Sequence, residues 1–337
     1  MPAPFIIPIF IAHQGCPHHC VFCNQHQISG QGEAAGRIGA AEVAAAIDGA
    51  LGWPRRSPEA EVQVAFYGGS FTGLPRPRQA ELLGAVAPYL ADGRVAGLRL
   101  STRPDMVDAD GADFLEASGV RTVELGVQSM TPSVLTLCRR GHTAGDVPPA
   151  VAALRQAGLA VGIQLMAGLP AETPATLMTS AKQVAALGPD FVRLYPTVVV
   201  AGSELAAWYA AGRYQPLSLA RAVVLTARLK ALFDAVAIPV VRMGLQHSAA
   251  LAAALVAGPH HPAFGELVKA RMLLQKIRQC LAGQPGVSRA LLLSSRDQSL
   301  VRGKANAHLK QLARAGLLDG VRLDFRSEMP RGTVLVA

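Results

Sequence analysis

Over the first 200 residues, apolar runs of strand length alternate with Ala- and Leu-rich stretches of helical length. The strand-like runs fall at 5–12, 62–66, 97–101, 121–126, 160–165 and 190–194. Helical patterns fill most of the gaps, at 39–51, 77–90, 108–118, 131–139, 146–157 and 173–187. Runs such as Val62-Gln63-Val64-Ala65-Phe66 are mostly apolar on both faces, as covered parallel strands are. Repeated strand–helix order requires right-handed parallel crossovers, hence a parallel sheet or a barrel. Six such units predict an α/β fold, a partial TIM-like (β/α)6 barrel, with chemistry on the loops after the C-terminal strand ends. Beyond residue 200 the pattern changes. Helices are expected at 203–211, 218–236 and 262–282, then a strand at 288–294, a helix at 303–315 and strands at 320–326 and 332–336. We therefore divide the chain into a barrel, 1–245, and a C-terminal extension, 246–337, of helices plus a small α/β unit.

Composition narrows the class. Half of the 337 residues are hydrophobic but only 5% are aromatic, so Ala and Gly supply much of that fraction. Low charge with high apolar content excludes disorder as the dominant state. No uninterrupted apolar run reaches the roughly 18 residues of a membrane span. The run Phe5-Ile6-Ile7-Pro8-Ile9-Phe10-Ile11 has no basic residue before it, holds a proline and leads into cysteines, so it reads as a strand and not a signal core. The expected location is the cytoplasm, with no membrane partner. Charge is uneven: residues 1–258 carry 19 basic and 18 acidic side chains, residues 259–337 carry 13 and 5. A basic region of this kind suits a polyanion, RNA above all, and equally a solvated surface.

Three of the five cysteines fall within eight residues, Cys16, Cys20 and Cys23. The C-x3-C-x2-C spacing is a ligand set and not a disulfide framework. Zinc would take a fourth ligand from His18, His19 or His26. An iron–sulfur cluster prefers thiolates throughout, and three of them would leave one corner of a [4Fe–4S] cube open. Cys138 and Cys280 stand alone and read as buried thiols.

The segment Gly15-Cys16-Pro17-His18-His19-Cys20-Val21-Phe22-Cys23, on the loop after the first strand, resembles the signature of the radical S-adenosylmethionine (SAM) superfamily. Together with Phe66-Tyr67-Gly68-Gly69-Ser70 and Glu124-Leu125-Gly126-Val127-Gln128, it is similar to the branch holding the catalytic subunit of Elongator. Oxygen-independent coproporphyrinogen oxidases are more distant members. The likeness runs from about residue 5 to about residue 245 and does not extend to the Elongator subunit's acetyltransferase domain. It implies a [4Fe–4S] cluster on Cys16, Cys20 and Cys23, and SAM beside Phe22. Gly68 and Gly69 would bring backbone to the methionine amino group, with Ser70 next to them; glycine suits such close approach. Ser101, Gln128 and Gln164 would be cofactor contacts at strand ends, and Arg140 would face the SAM carboxylate, which a guanidinium fork matches. Tyr195, in Arg193-Leu194-Tyr195-Pro196, is the candidate catalytic residue, with rim packing as the alternative. Glu124 is either an acid near the cofactor or the partner of a barrel arginine, and Arg103 and Asp105 are expected to pair. The implied activity is reductive cleavage of SAM to a 5′-deoxyadenosyl radical fed by a flavodoxin- or ferredoxin-like donor, with tRNA or another RNA as substrate. A small molecule such as a porphyrinogen, or a non-catalytic haem-binding role, are the alternatives. In the basic extension, Gly303-Lys304-Ala305-Asn306 resembles the Gly-x-x-Gly loop of KH domains, with Asn306 in place of the second glycine. His260 and His261 are expected to cap a helix, with lining of the active-site mouth as the alternative.

Overall fold

The computed structural model describes residues 4–29, 38–55, 57–282 and 289–337. Strand β1 (Phe5–Phe10) leads through helices α1 (Gln25–Ser29) and α2 (Ala40–Leu51) to β2 (Val62–Tyr67). Helices α3 (Arg76–Gly84) and α4 (Ala87–Ala91) precede β3 (Gly97–Thr102), and α5 (Ala109–Ala117) precedes β4 (Val120–Gln128). Helices α6 (Pro132–Leu137) and α7 (Val147–Gln156) lead to β5 (Ala160–Ala167), and α8 (Pro174–Ala186) leads to β6 (Phe191–Pro196). Then come β7 (Val199–Val200), α9 (Glu204–Ala210), α10 (Leu219–Ala235), β8 (Val240–Met243), α11 (Ala249–Ala254), β9 (Leu255–Ala257) and α12 (Phe264–Ala282). The chain closes with β10 (Arg289–Ser294), α13 (Gln298–Arg302), α14 (Ala307–Arg314), β11 (Val321–Arg326) and β12 (Val334–Val336); residue 288, expected in that first strand, lies outside the described residues.

Helix boundaries follow local chemistry. Asp108 and Thr173 accept from Gly111 N (2.7 Å) and Thr176 N (3.2 Å) and so cap α5 and α8. The helix expected over 77–90 is split in two, because Pro88 has no N–H for the carbonyl of Gly84.

Seven strands form one parallel sheet in the order β1-β2-β3-β4-β5-β6-β8. The six expected strands are its core, and β8 adds a seventh at the β6 edge, with Val192 opposite Val240. Four residues after a long helix are too few to display a period of two, so the sequence hides it. Ile9, Phe66, Leu100, Val123, Ile163 and Leu194 point outward into one core under the helices. The other face is polar. Along β3, Arg99 alternates with Leu98 and Leu100; along β6, Arg193 and Tyr195 alternate with Val192 and Leu194.

Those polar residues reveal the curvature. Arg193 Nη2 donates to Tyr67 Oη at 3.1 Å, although β6 and β2 lie four strands apart. In a flat sheet they would be about 19 Å apart at ~4.8 Å per strand. The sheet therefore curls into an open half-barrel, with Glu124 of β4 wholly buried at its centre. Glu124 accepts at Oε1 from Arg193 Nη2 (2.9 Å) and Tyr67 Oη (3.1 Å) and at Oε2 from Gln164 Nε2 (3.2 Å), and Arg193 Nε lies 2.6 Å from Oε2. Glu124 is thus the partner of a barrel arginine.

Helix α12 joins two packing regions. Phe264 and Val268 pack with Ala222 and Ala227 of α10, whereas Leu273, Ile277 and Leu281 join a separate core with Leu291, Leu293 and Leu312. That core is covered by a three-stranded sheet with β10 between parallel β11 and antiparallel β12. His261 closes the turn before α12, its carbonyl accepting from Phe264 N (3.0 Å) and its Nδ1 from Ala263 N (3.1 Å), whereas His260 stacks on His247 instead of capping the helix. Among the described residues no helix is long and apolar enough to cross a membrane.

Removing the central carboxylate strands Arg193 in the interior. Glu124→Ala is expected to lower unfolding free energy by about 3–5 kcal/mol, the cost of breaking one side of a buried pair, read from urea denaturation by circular dichroism.

Candidate active site

The cysteine loop is clamped from two sides at the C-terminal end of the sheet. On one side it meets the loop after β2. Ser70 N donates to Gln14 O at 2.8 Å and Ile11 N to Tyr67 O at 2.8 Å. Gly69, at φ +60°, lies so close that a Cβ would come within 2.2 Å of Gln14 O. The Gln25 side chain fastens the same contact, its Oε1 accepting from Gly69 N and His13 N, each at 2.5 Å. On the other side Val21 N donates to Cys138 O (3.2 Å), Leu205 N to Val21 O (2.7 Å), and Asn24 Nδ2 to Ala201 O (2.9 Å). Val21 and Phe22 pack with Cys138, Leu169 and Trp208.

Held this way, Cys16 and Cys23 are half-buried and Cys20 is buried, all three as free thiols. Burial, then the neighbouring thiols, push the Cys16 thiol up and that of Cys23 to about 12. Arg140 opposes this: its Nη1 donates to Cys20 Sγ at 3.2 Å and its Nη2 to Gly126 O. Among the described residues no three His, Cys, Asp or Glu side chains converge on one ion position. The His13 ring instead lies tilted against those of His26 and His19, with centroids 5.0 and 6.2 Å away, and His13 Nε2 accepts from Gln25 N at 2.8 Å.

The expected cofactor residues divide into two groups. Gln128 ends β4 in left-handed backbone (φ +67°), with its buried Oε1 lacking a partner, and a Cβ on Gly126 would lie 3.1 Å from its Nε2 and 3.4 Å from Arg140 Nη2. Gln128, Arg140 and Cys20 are therefore gathered around Gly126. A strained backbone with an unsatisfied amide oxygen is a common mark of a functional position. Gly68 and Gly69 lie half-buried after β2, against Ala12 and Gln14, and Ser101 is half-buried on β3. The second group has committed side chains. Ser70 is fully buried, with its Oγ 3.0 Å from Thr102 Oγ1 and 3.1 Å from Met106 Sδ, so it ties two loops together. Gln164 donates to Glu124. Arg103 and Asp105 form the expected pair, Nε to Oδ1 at 3.0 Å and Nη2 to Oδ2 at 2.8 Å. Burial opposes ionisation of Asp105, but Arg103 holds its carboxyl below the usual range.

Tyr195 is half-buried on the inner face of β6, and burial above all raises its phenol, keeping it a proton donor. Sequence reasoning missed Tyr67, Arg99 and Arg193 as inner-face residues. The available signal was a cation flanked by apolar neighbours within a strand. Gln25 left no such signal, since its partners are 12 and 44 residues away. Cys138 is buried as expected, whereas Cys280 is half-buried, on a face of α12 that the core does not cover.

In the extension, Lys304–Asn306 forms a 3₁₀ turn with Ala305 and Asn306 in left-handed backbone, so α14 starts at Ala307 and not at 303. The turn edges a cleft of about 540 Å³ that Arg302 and Lys304 also line. Exposed Arg302, Lys304, Lys310, Arg314 and Arg322 make no salt bridge among the described residues.

Two family profiles match the chain: the Radical SAM superfamily over residues 10–184 and the Radical_SAM C-terminal domain over 189–273. The first covers more than half of the sequence, and the chain belongs to the radical SAM superfamily, enzymes that in general work with a [4Fe–4S] cluster and SAM. It is similar to tRNA uridine(34) acetyltransferase of Dehalococcoides mccartyi, 37% identical over 145 residues, 42% of this chain and 32% of that protein. It is also similar to Elongator complex protein 3 of Homo sapiens, 29% identical over 164 residues, 45% of this chain and 30% of that protein. The chain thus matches less than a third of either relative's length. The solved archaeal Methanocaldococcus infernus Elp3 with N-terminus deletion shares the fold, at TM-score 0.62 and 21% identity over 82% of this chain and 64% of that one.

Two expectations follow. Gly69→Ala forces a Cβ against the Gln14 carbonyl in disfavoured backbone, so apo-protein Cys16 and Cys23 are expected to react several times faster with a thiol reagent under anaerobic conditions. Glu172 accepts from Gly168 N at 2.7 Å, and burial pushes its carboxyl from 4.5 up to about 8. The native state then binds the extra proton between those values, so this contribution is full below about 4.5 and lost as pH rises through about 8. The urea midpoint of the wild type relative to Glu172→Gln is expected to fall over that window and level off above it.

Proposed function

We propose that this enzyme holds a [4Fe–4S] cluster on Cys16, Cys20 and Cys23, binds SAM beside it, and uses the resulting radical to modify RNA, with tRNA as the first candidate. When bound, the cluster and SAM supply one-electron cleavage to a 5′-deoxyadenosyl radical. The observation that carries the reading is three reduced thiols on one doubly clamped loop, with the Arg140 guanidinium at Cys20 Sγ. The donor set fits the group. Buried thiols ionise readily only beside positive charge, which iron and Arg140 both provide. Thiolates spread over three irons need not converge on one ion.

The chain's remaining task is to bind, orient and exclude water. The carbonyls of Gly68 and Gly69 can accept from an ammonium group, and the Gly69 N–H is already used by Gln25. The orphaned Gln128 Oε1 and the Ser101 hydroxyl suit ribose hydroxyls, and Arg140 Nε, which also lacks a partner, suits a carboxylate. Phe22, Leu169 and Met166 supply an apolar wall. Tyr195 offers a hydrogen-bond donor to substrate in the barrel.

The RNA assignment is supported by the tRNA-modifying relatives and by the unpaired cations around the 303–306 turn. A flavodoxin- or ferredoxin-like protein would supply the electron.

Anaerobic reconstitution with iron and sulfide is expected to give a reducible cluster, and dithionite with SAM to give 5′-deoxyadenosine. Each of Cys16→Ser, Cys20→Ser and Cys23→Ser should lose both. Bulk tRNA should bind with a steep salt dependence, and Arg302→Gln with Lys304→Gln should flatten the slope by about two phosphate contacts. A chain that retains its fold but assembles no cluster sinks the cofactor reading; salt-insensitive or absent tRNA binding sinks the RNA reading.

A further inference from the structure

The barrel interior holds more positive than negative charge. Both oxygens of Glu124 are occupied by Arg193, Tyr67 and Gln164. Arg99 is left over. Its Nε lies 3.5 Å from Glu124 Oε1 without a hydrogen bond, and its guanidinium makes no hydrogen bond among the described residues, although the residue is only 9% exposed. Alternation with Leu98 and Leu100 aims it inward, where it lies 5.5 Å from the centroid of the Phe191 ring. The charged groups acting on Tyr67 and Tyr195 are Glu124 on one side and Arg99, Arg193 and Arg242 on the other. Arg242 spends its hydrogen bonds on Gly244 O and the Gln246 side chain. One carboxylate thus faces two guanidiniums, Arg193 and Arg99, and that of Arg99 has no hydrogen-bonded partner among the described residues. A buried cation in that state is costly unless an anion compensates it.

We propose that the half-barrel interior is a subsite for the carboxylate of a small organic substrate, with Arg99 as its principal ligand and Arg193 and the inner-face tyrosines close by. A planar guanidinium fork matches a planar carboxylate with two parallel N–H···O bonds. Phe191 occupies the interior beneath Gly162, where a Cβ would come within 2.3 Å of its ring. Arg99, only 9% exposed on the inner face of β3, is more readily reached by a small carboxylate than by the phosphodiester backbone of an RNA. The proposal deepens the reading of the barrel as reaction chamber and rests on it, but its test uses no radical chemistry, so either can fail alone.

The test is isothermal titration at constant ionic strength of acetate, succinate and inorganic phosphate into the anaerobically reconstituted enzyme without SAM, with iron content measured separately. Saturable binding of a carboxylate is expected, at least tenfold weaker in Arg99→Gln, partly restored in Arg99→Lys, and tighter in Glu124→Gln, which releases Arg193. A purely structural Arg99 would leave carboxylate affinity unchanged in folded Arg99→Gln. Absence of saturable carboxylate binding, equal affinity in Arg99→Gln, or binding of phosphate alone overturns the proposal. Should Arg99→Gln lack a native circular dichroism spectrum, Arg99→Lys and Glu124→Gln decide by the same criteria.

Discussion

The contact on which the rest depends is Glu124 with Arg193 across the inside of the sheet. A parallel sheet clad with helices on one face must do something with the other. In closed barrels that face is filled by branched aliphatic side chains in layers. Here its centre is filled by a carboxylate, two arginines, a tyrosine and a glutamine, drawn from five strands. Directed bonds of this kind specify a distance between strands that the hydrophobic effect leaves loose. They also leave polar groups on the walls, so the interior favours a polar guest.

The curl sets where the loops go. Because β1 and β2 are neighbours in register, the loops that follow them emerge side by side. Gly69 lets their backbones touch, and Gln25 bolts them with one oxygen shared by two amides. Arg140 comes from the loop after α6 and reaches Cys20 and the end of β4 at once. Ser70 and Arg103 work one layer further out, bracing the loops after β2 and β3. The cysteines are thus held by backbone, and their side chains remain available for a ligand.

What could be read from the sequence divides along the same line. The strand–helix alternation and the C-x3-C-x2-C run are local patterns, so the half-barrel and the cysteine loop were legible. Contacts that depend on curvature were not. Nothing near Gln25 announces that it meets Gly69, and nothing near Ser70 or Gln164 announces that their side chains meet Thr102 and Glu124. Glu124 alone has two readings, and only the curled sheet chooses between them. Arg99 and Arg193 were half legible: a cation inside an apolar strand signals an inward polar face, but not which partner it meets there. β8 escaped because its four residues take their place from β6 and not from their own pattern.

Two regions of excess positive charge now stand apart, and their settings argue for different anions. The cations of the 303–306 turn lie on an exposed surface, where each is hydrated and screened and contributes mainly by number. Such a surface suits a polymer with many phosphates, whose binding gains entropy from released counterions. The guanidinium of Arg99 is single and nearly sealed from water. As the proposed ligand of one carboxylate it would discriminate by shape and hydrogen-bond direction.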